Sequence, residues 1–166
     1  VLILKQIRKF ILKLEDYKTN TIWDGYSKDN SYTIEEEQKK KGIVTNFIKK
    51  NNFNLVADIG CNDGEYSKIA LQNGCQGVIG FDFDLNTIDQ AFKIAKKNKI
   101  MFLPLFLDAS NPSTNLGWNE NERKNFNKRA KFDAIIALAF EHHLSIAKNI
   151  PFEQVVSWLI SLSPNG

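Results

Sequence analysis

The segment Leu55–Ser67, LVADIGCNDGEYS, constrains this chain most. An apolar run ends in the acid Asp58, a loop holding Gly60 and Gly64 follows, and a helix-forming stretch begins at Glu65. Strand, tight turn and helix N-terminus thus fall within one short segment. At such a junction the backbone can approach a nucleotide-type ligand closely. Glycine lacks a Cβ, so Gly60 and Gly64 can take positive φ and leave room against the main chain. The first helical turn offers unpaired N–H groups and a partial positive charge, favouring a carboxylate or phosphate by about 0.3–1 kcal/mol at an exposed site. The spacing is G-x-x-x-G, with Asn62 where a dinucleotide loop carries its second glycine, so G-x-G-x-x-G is not met. No G-x-x-x-x-G-K-[ST] loop occurs either. A small carboxylate suits this loop better than a diphosphate. The plainer reading of the loop alone is a strand–helix turn whose glycines serve geometry.

The segments that follow repeat the pattern. Gly77–Asp84 is a second apolar run ending in acid, and Asp82 follows Asp58 by 24 residues. An acid at the end of the second strand of a βαβ unit is placed to grip a ribose diol. Each charge-assisted hydrogen bond of that kind is worth about 1.5–3 kcal/mol. Asp84 reads as the cap of the next helix. A third apolar run, Met101–Leu107, ends at Asp108, and a fourth, Phe132–Ala139, is almost wholly apolar after Asp133. Near-continuous apolar strands separated by helical segments imply a parallel sheet covered on both faces. Ligands bind such sheets beyond the carboxyl ends of the strands, where Asp58, Asp82 and Asp108 all fall.

These residues resemble the class I S-adenosylmethionine-dependent methyltransferases. The likeness rests on Asp58-x-Gly60-x-Asn62-x-Gly64, Gly80-x-Asp82, Asp108-Ala109 and Phe132–Ala139, and covers residues 33–160. It implies an α/β fold: a Rossmann-like, doubly wound, mostly parallel sheet with helices on both faces. It also implies S-adenosylmethionine as cofactor. Asp58 and the backbone of Gly60, Cys61, Asn62 and Gly64 would face its methionine end. Asp82 would hold the ribose hydroxyls, with Phe83 beside it in the cofactor-binding set. Asp108 and the Ala109 amide would read the adenine edge, and Leu138 to Phe140 would close the pocket beneath the methionine moiety. A narrower likeness, to methyltransferase-like proteins related to rhizobial host-specific nodulation proteins, rests on three groups of residues. They are Trp23-x-x-Tyr26 with Tyr32, Gly117-Trp118 with Glu122-Arg123, and Ala137-Leu138-Ala139-x-x-His142-His143-Leu144. Asn62 departs from the family's usual glycine, although Asn tolerates left-handed angles better than most residues. The family's seven-stranded sheet is also cut short here after the fourth strand and the helix that follows. With Val1 in place of Met, the chain reads as part of a longer protein.

Methyl transfer is a displacement that chiefly requires alignment of the nucleophile with the methyl group. A base is needed only where the nucleophile must lose a proton. Glu141-His142-His143 follows the fourth strand, where the likeness places the acceptor. His142 and His143 are the catalytic candidates, since a histidine titrates near 6.5. The competing reading has one histidine packed and the other solvated. Trp118 and Arg123 would line an acceptor site, or else serve as an anchor and a surface charge.

The length of 166 residues suits one domain, residues 33–166, preceded by a helix and loop over residues 1–32. A net charge of +3 gives no argument for nucleic acid as partner. The Asn-Pro-Pro-aromatic signature of many amino-methylating enzymes is replaced by Leu138-Ala139-Phe140-Glu141. Cys61 and Cys75 suit a reducing, cytoplasmic compartment, and Cys61 reads as a small filler rather than a thiol catalyst. No metal-ligand spacing occurs, and no stretch is apolar enough to span a membrane.

Residues 1–16 have helical spacing: the apolar run Val1-Leu2-Ile3-Leu4 continues at Ile7, Phe10, Ile11 and Leu14, interrupted by Lys5, Arg8, Lys9 and Lys13. Packing on a domain, or on a part missing from this chain, is the favoured reading, and a basic membrane-surface helix the second. Thr33 predicts the cap of a helix running to Lys50, and Gly74 the end of a helix over residues 65–73. Leu85, Ile88, Phe92 and Ala95 predict the inner face of a helix over 85–97. Residues 109–131 read as a long polar connection, and Pro151 opens a last helix whose Val155, Trp158, Leu159 and Leu162 face a core.

The activity implied is methyl transfer to a small-molecule or carbohydrate acceptor. The alternative is a catalytically inactive cofactor-binding or protein-interaction module of the same fold. A nicotinamide-dependent oxidoreductase is disfavoured by the missing G-x-G-x-x-G. The oligomeric state stays open.

Overall fold

The computed structural model describes residues 2–14 and 33–164. The nodulation-type positions Trp23, Tyr26 and Tyr32 lie outside the described residues. Four parallel strands form one sheet in the order β3-β2-β1-β4. They are β1 (Leu55–Ile59), β2 (Gly77–Asp82), β3 (Phe102–Phe106) and β4 (Ala134–Ile136). β2, β3 and β4 are each shorter than their apolar runs, and β4 pairs with β1 only over Val56–Asp58.

Alternation along β1 divides the core in two. Val56 joins Val44 and Ile48 of α2 (Ile34–Lys49), Ala70 of α3 (Glu65–Gln72), and Ala91 and Ala95 of α4 (Leu85–Asn98). Ala57 and Ile59 join Phe126 of α5 (Phe126–Arg129), Leu144 of α6 (Glu141–Ser145), and Val155 and Leu162 of α7 (Phe152–Leu162). Helices therefore cover both faces, as a sheet of near-continuous apolar strands requires.

Local chemistry fixes the helix ends. Thr33 Oγ1 accepts from the Glu36 amide at 3.2 Å while the Glu36 carboxylate accepts from the Thr33 amide at 2.8 Å, a reciprocal capping box. Asp84 caps α4 by accepting from Asn86 and Thr87 amides. At the end of α3, Gly74 has φ +112, and the Cys75 and Gly74 amides return to the carbonyls of Ala70 and Leu71, a Schellman closure. Asp133 joins the starts of β1 and β4, its Oδ2 accepting from the Asn54 and Leu55 amides at 2.7 and 2.9 Å.

Two expectations are corrected. On α4 the buried row is Thr87, Ala91 and Ala95, spaced four apart, while Leu85 and Phe92 are exposed. Small side chains face the sheet there because the helix lies close against β3. The 109–131 connection holds a 3-10 turn (Trp118–Glu120) and α5, whose Phe126 stacks edge-on against Phe81. The segment Leu2–Ile11, α1, forms a helix but buries none of its residues. No helix among the described residues is long and apolar enough to cross a membrane. An apolar groove of about 670 Å³ runs along the open edge of β4 between α2 and α7, with Ile43, Phe47, Leu138 and Ile160 in its walls.

Candidate functional site

The chain winds from β1 through β2 to β3 on one side, then returns to place β4 on the other side of β1. The crevice beyond the carboxyl ends of β1 and β4 is thus the switch point where ligands bind in open α/β sheets. The segments reaching it are residues 60–64, 82–83, 107–109 and 137–143.

The residue 60–64 loop is tied to β2. The Gly60 and Cys61 amides both donate to the Phe81 carbonyl, at 2.8 and 3.0 Å. The Asn62 amide donates to Asp82 Oδ2 at 2.9 Å, and the Asp84 amide to Asp82 Oδ1 at 3.0 Å. Asp82 is therefore aimed from both sides. Its pKa is raised by burial, against the pull of the Asp84, Asn62 and Phe83 amides. Asn62 sits at φ +47, the left-handed conformation that the family's glycine would take, which Asn tolerates.

Gly60 and Gly64 take positive φ as expected, at +78 and +82, and a second constraint adds to this. A Cβ on Gly64 would lie 2.3 Å from Phe102 Cε1, and one on Gly60 would lie 3.2 Å from Phe140 Cδ2. Their missing side chains make room for the protein's own aromatics. Gly80 serves Cys61 likewise, since a Cβ there would lie 2.7 Å from Sγ. Cys61 is buried and its thiol is pushed far up by that burial, so it is inert packing.

Asp58 does not open onto the crevice. Its side chain is buried and Oδ2 accepts from Ser67 Oγ of α3 at 2.6 Å. Burial pushes its pKa up to about 7, opposed by the Ser67 bond and assisted by the negative charge of Asp82. Asp108, half-buried just past β3, closes a turn by accepting from the Ser110 amide and hydroxyl. The Ser110 hydroxyl lowers its pKa, and the charge of Lys148 adds to this. Phe83 is 58% exposed beside Asp82, Ala109 is half-buried, and Leu138 packs with the α2–α4 side of the core.

After β4, Ala139 takes φ +52, a strained angle for a residue with a Cβ. The turn sets Phe140 against Gly60 and starts α6. The rings of His142 and His143 lie 4.1 Å apart between centroids. His142 is exposed and His143 half-buried. Burial lowers the His143 pKa, His142 lowers it further, and Asp82 and Glu141 oppose this. The structure thus separates two histidines that the sequence left equivalent: His143 is within electrostatic reach of Asp82. Trp118 is 84% exposed, so it anchors nothing, and Arg123 is exposed on the same loop. Ser67 and Lys148 were missed. Ser67 carried only its helical position as a signal, and Lys148 none.

Asp82, an acceptor at the crevice, suits a diol-bearing ligand. Of the three strand-end carboxylates Asp58 is turned inward, and residues 60–64 contain no lysine or arginine to neutralise a diphosphate. Among the described residues no cluster of three or more His, Cys, Asp or Glu side chains is arranged to hold a metal ion.

The fold places the chain in the Rossmann-like class to which a methyltransferase domain also belongs. It is similar to WbdD (TM-score 0.56, 17% identity, 95% of this chain and 34% of that one). It is likewise similar to the methyltransferase domain of bacterial-CtHen1-CN (TM-score 0.51, 19% identity, 72% and 58%). In sequence the chain is a homologue of nodulation protein NoeA from Rhizobium meliloti (strain 1021), 42% identical over 164 residues. That match takes in 98% of this chain and 34% of NoeA, so the chain spans about a third of its relative's length. No protein-family model matches it.

Proposed function

We propose that this chain is the S-adenosylmethionine-binding part of a cytoplasmic methyltransferase acting on a small-molecule or carbohydrate acceptor. The observation that carries this reading is Asp82, held at the switch point by the amides of Asn62 and Asp84. Asp82 would take the ribose hydroxyls, with Phe83 packing alongside. Asp108 and Ala109 would meet the adenine edge, and the backbone of residues 60–64 the methionine carboxylate. Asp58 would act from beneath, through its charge, on the cationic end of the ligand. Bound there, the cofactor supplies an electrophilic methyl group on a sulfonium. His143, biased toward its neutral form, would take the proton of an acceptor hydroxyl or amine, and His142 would lie at the rim.

Calorimetric titration of S-adenosylmethionine, with NAD as control, tests this. The chain is expected to bind the former and not the latter. Asp82→Ala removes two bonds of about 1.5–3 kcal/mol each, so affinity should fall about 10²- to 10⁴-fold. Unchanged affinity in the variant, or NAD bound equally well, refutes the assignment. The second reading, a module that binds cofactor or a protein partner without catalysis, is favoured by the apolar groove on the open edge of β4. Acceptor-dependent turnover would eliminate it.

A further inference from the structure

Helix α1 buries none of its residues among the described ones, although one of its faces is apolar. Ile3, Ile7, Phe10 and Ile11 fall on one side of it at 100° per residue, and are 69%, 49%, 65% and 56% exposed. Lys5, Arg8 and Lys9 lie on the other side, Lys13 follows just past the last turn, and residues 2–14 contain no Asp or Glu. Leu2 and Gln6 share that side, and every charge on it is positive; an apolar stripe backed by a cationic face is the pattern of a helix that lies in a lipid interface. At ten residues α1 is about 15 Å long, half of a hydrocarbon core, so it lies along a membrane rather than across it.

The apolar groove at the β4 edge is the competing berth within the chain. Its walls hold hydrophobic residues with Asn51 and Ser163, and no carboxylate. Docking α1 there would cover the stripe but leave four cations without a counter-charge. An anionic bilayer answers both halves of the helix at once, because its headgroups attract the cations and its acyl boundary takes the stripe. We propose that α1 docks this protein on an anionic lipid surface.

The test is co-sedimentation of the full chain with vesicles of phosphatidylcholine alone and of phosphatidylcholine mixed with phosphatidylserine. Binding is expected to the mixed vesicles, weakening as salt shortens the Debye length from about 10 Å at 0.1 M to about 3 Å at 1 M. Replacing Lys5, Arg8, Lys9 and Lys13 by Gln should weaken it about fivefold per residue. Ile7→Ser and Phe10→Ser should each weaken it about tenfold or more by removing buried apolar area. None of these residues touches the core, so thermal unfolding of each variant should match the parent. No binding to either vesicle overturns the proposal, as does equal binding to both. A dimer abolished by Phe10→Ser, without lipid binding, would show that a second copy covers the stripe instead. Cofactor titration is independent of all these outcomes.

Discussion

Replacing Asp58 by Asn isolates the electrostatic cost of the most deeply buried acid near the crevice. The substitution keeps an oxygen to accept from Ser67 Oγ and removes the charge. In the folded chain the Asp58 pKa stands at about 7, against an ordinary 3.8. A gap of about 3 pH units corresponds to about 4 kcal/mol, at 1.36 kcal/mol per unit. Because the folded value is the higher one, stability from this group is complete below pH 4 and is lost as pH rises through 7. At pH 8 the wild type carries the whole penalty, since the carboxylate must ionise where burial disfavours its charge. The variant should therefore be more stable than the wild type at pH 8, by up to about 4 kcal/mol, and close to it at pH 4. Asp82 is shifted in the same direction and leaves a residual slope in both proteins, so the informative quantity is the difference between them. Urea unfolding followed by far-UV circular dichroism at several pH values measures it. A difference that does not change between pH 4 and pH 8 would refute the account of Asp58 as an acid raised by burial.

Other substitutions test separate parts of the structure. Gly64→Ala meets Phe102 at 2.3 Å in a left-handed backbone and should destabilise by about 2–4 kcal/mol in the same unfolding assay. Thr33→Ala breaks the capping box and should cost about 1 kcal/mol, read as a lower denaturation midpoint with an unchanged slope. His143→Asn should lower turnover about 10²- to 10⁴-fold while leaving cofactor affinity intact. In the parent, activity should rise with pH through a value below 6.5, because the His143 pKa is lowered. An unchanged rate in that variant would reassign the base.

Much of the fold was legible because it follows from local chemistry. Thr33 with Glu36, Asp84 before Asn86, and Gly74 after α3 each fix a helix end through a few neighbouring residues. The acid after β2 was likewise legible, since a strand's apolar run and the residue that ends it are adjacent in sequence. What faces what was less so. Leu85 and Phe92 fit a helical stripe yet stay outside, because β3 admits only Thr87, Ala91 and Ala95 at its distance from α4. Gly60 and Gly64 were visible as glycines, but the second constraint on them, Phe140 and Phe102, comes from segments far away in sequence. Asp58 read as a ligand-facing acid at a strand end, whereas alternation in β1 turns it toward Ser67.

The sequence by itself determined the parallel α/β plan, the capped ends of α2, α3 and α4 and the row of strand-end acids, since these depend on runs, periods and caps within a few residues of one another. Only the tertiary structure decided which acids reach the crevice, which histidine is shielded, and that α1 keeps its apolar face uncovered among the described residues. Those are matters of burial and of charge across space. A carboxylate's environment and a ring's exposure are set by neighbours that the chain brings from elsewhere, and the linear order of residues carries no distance between them.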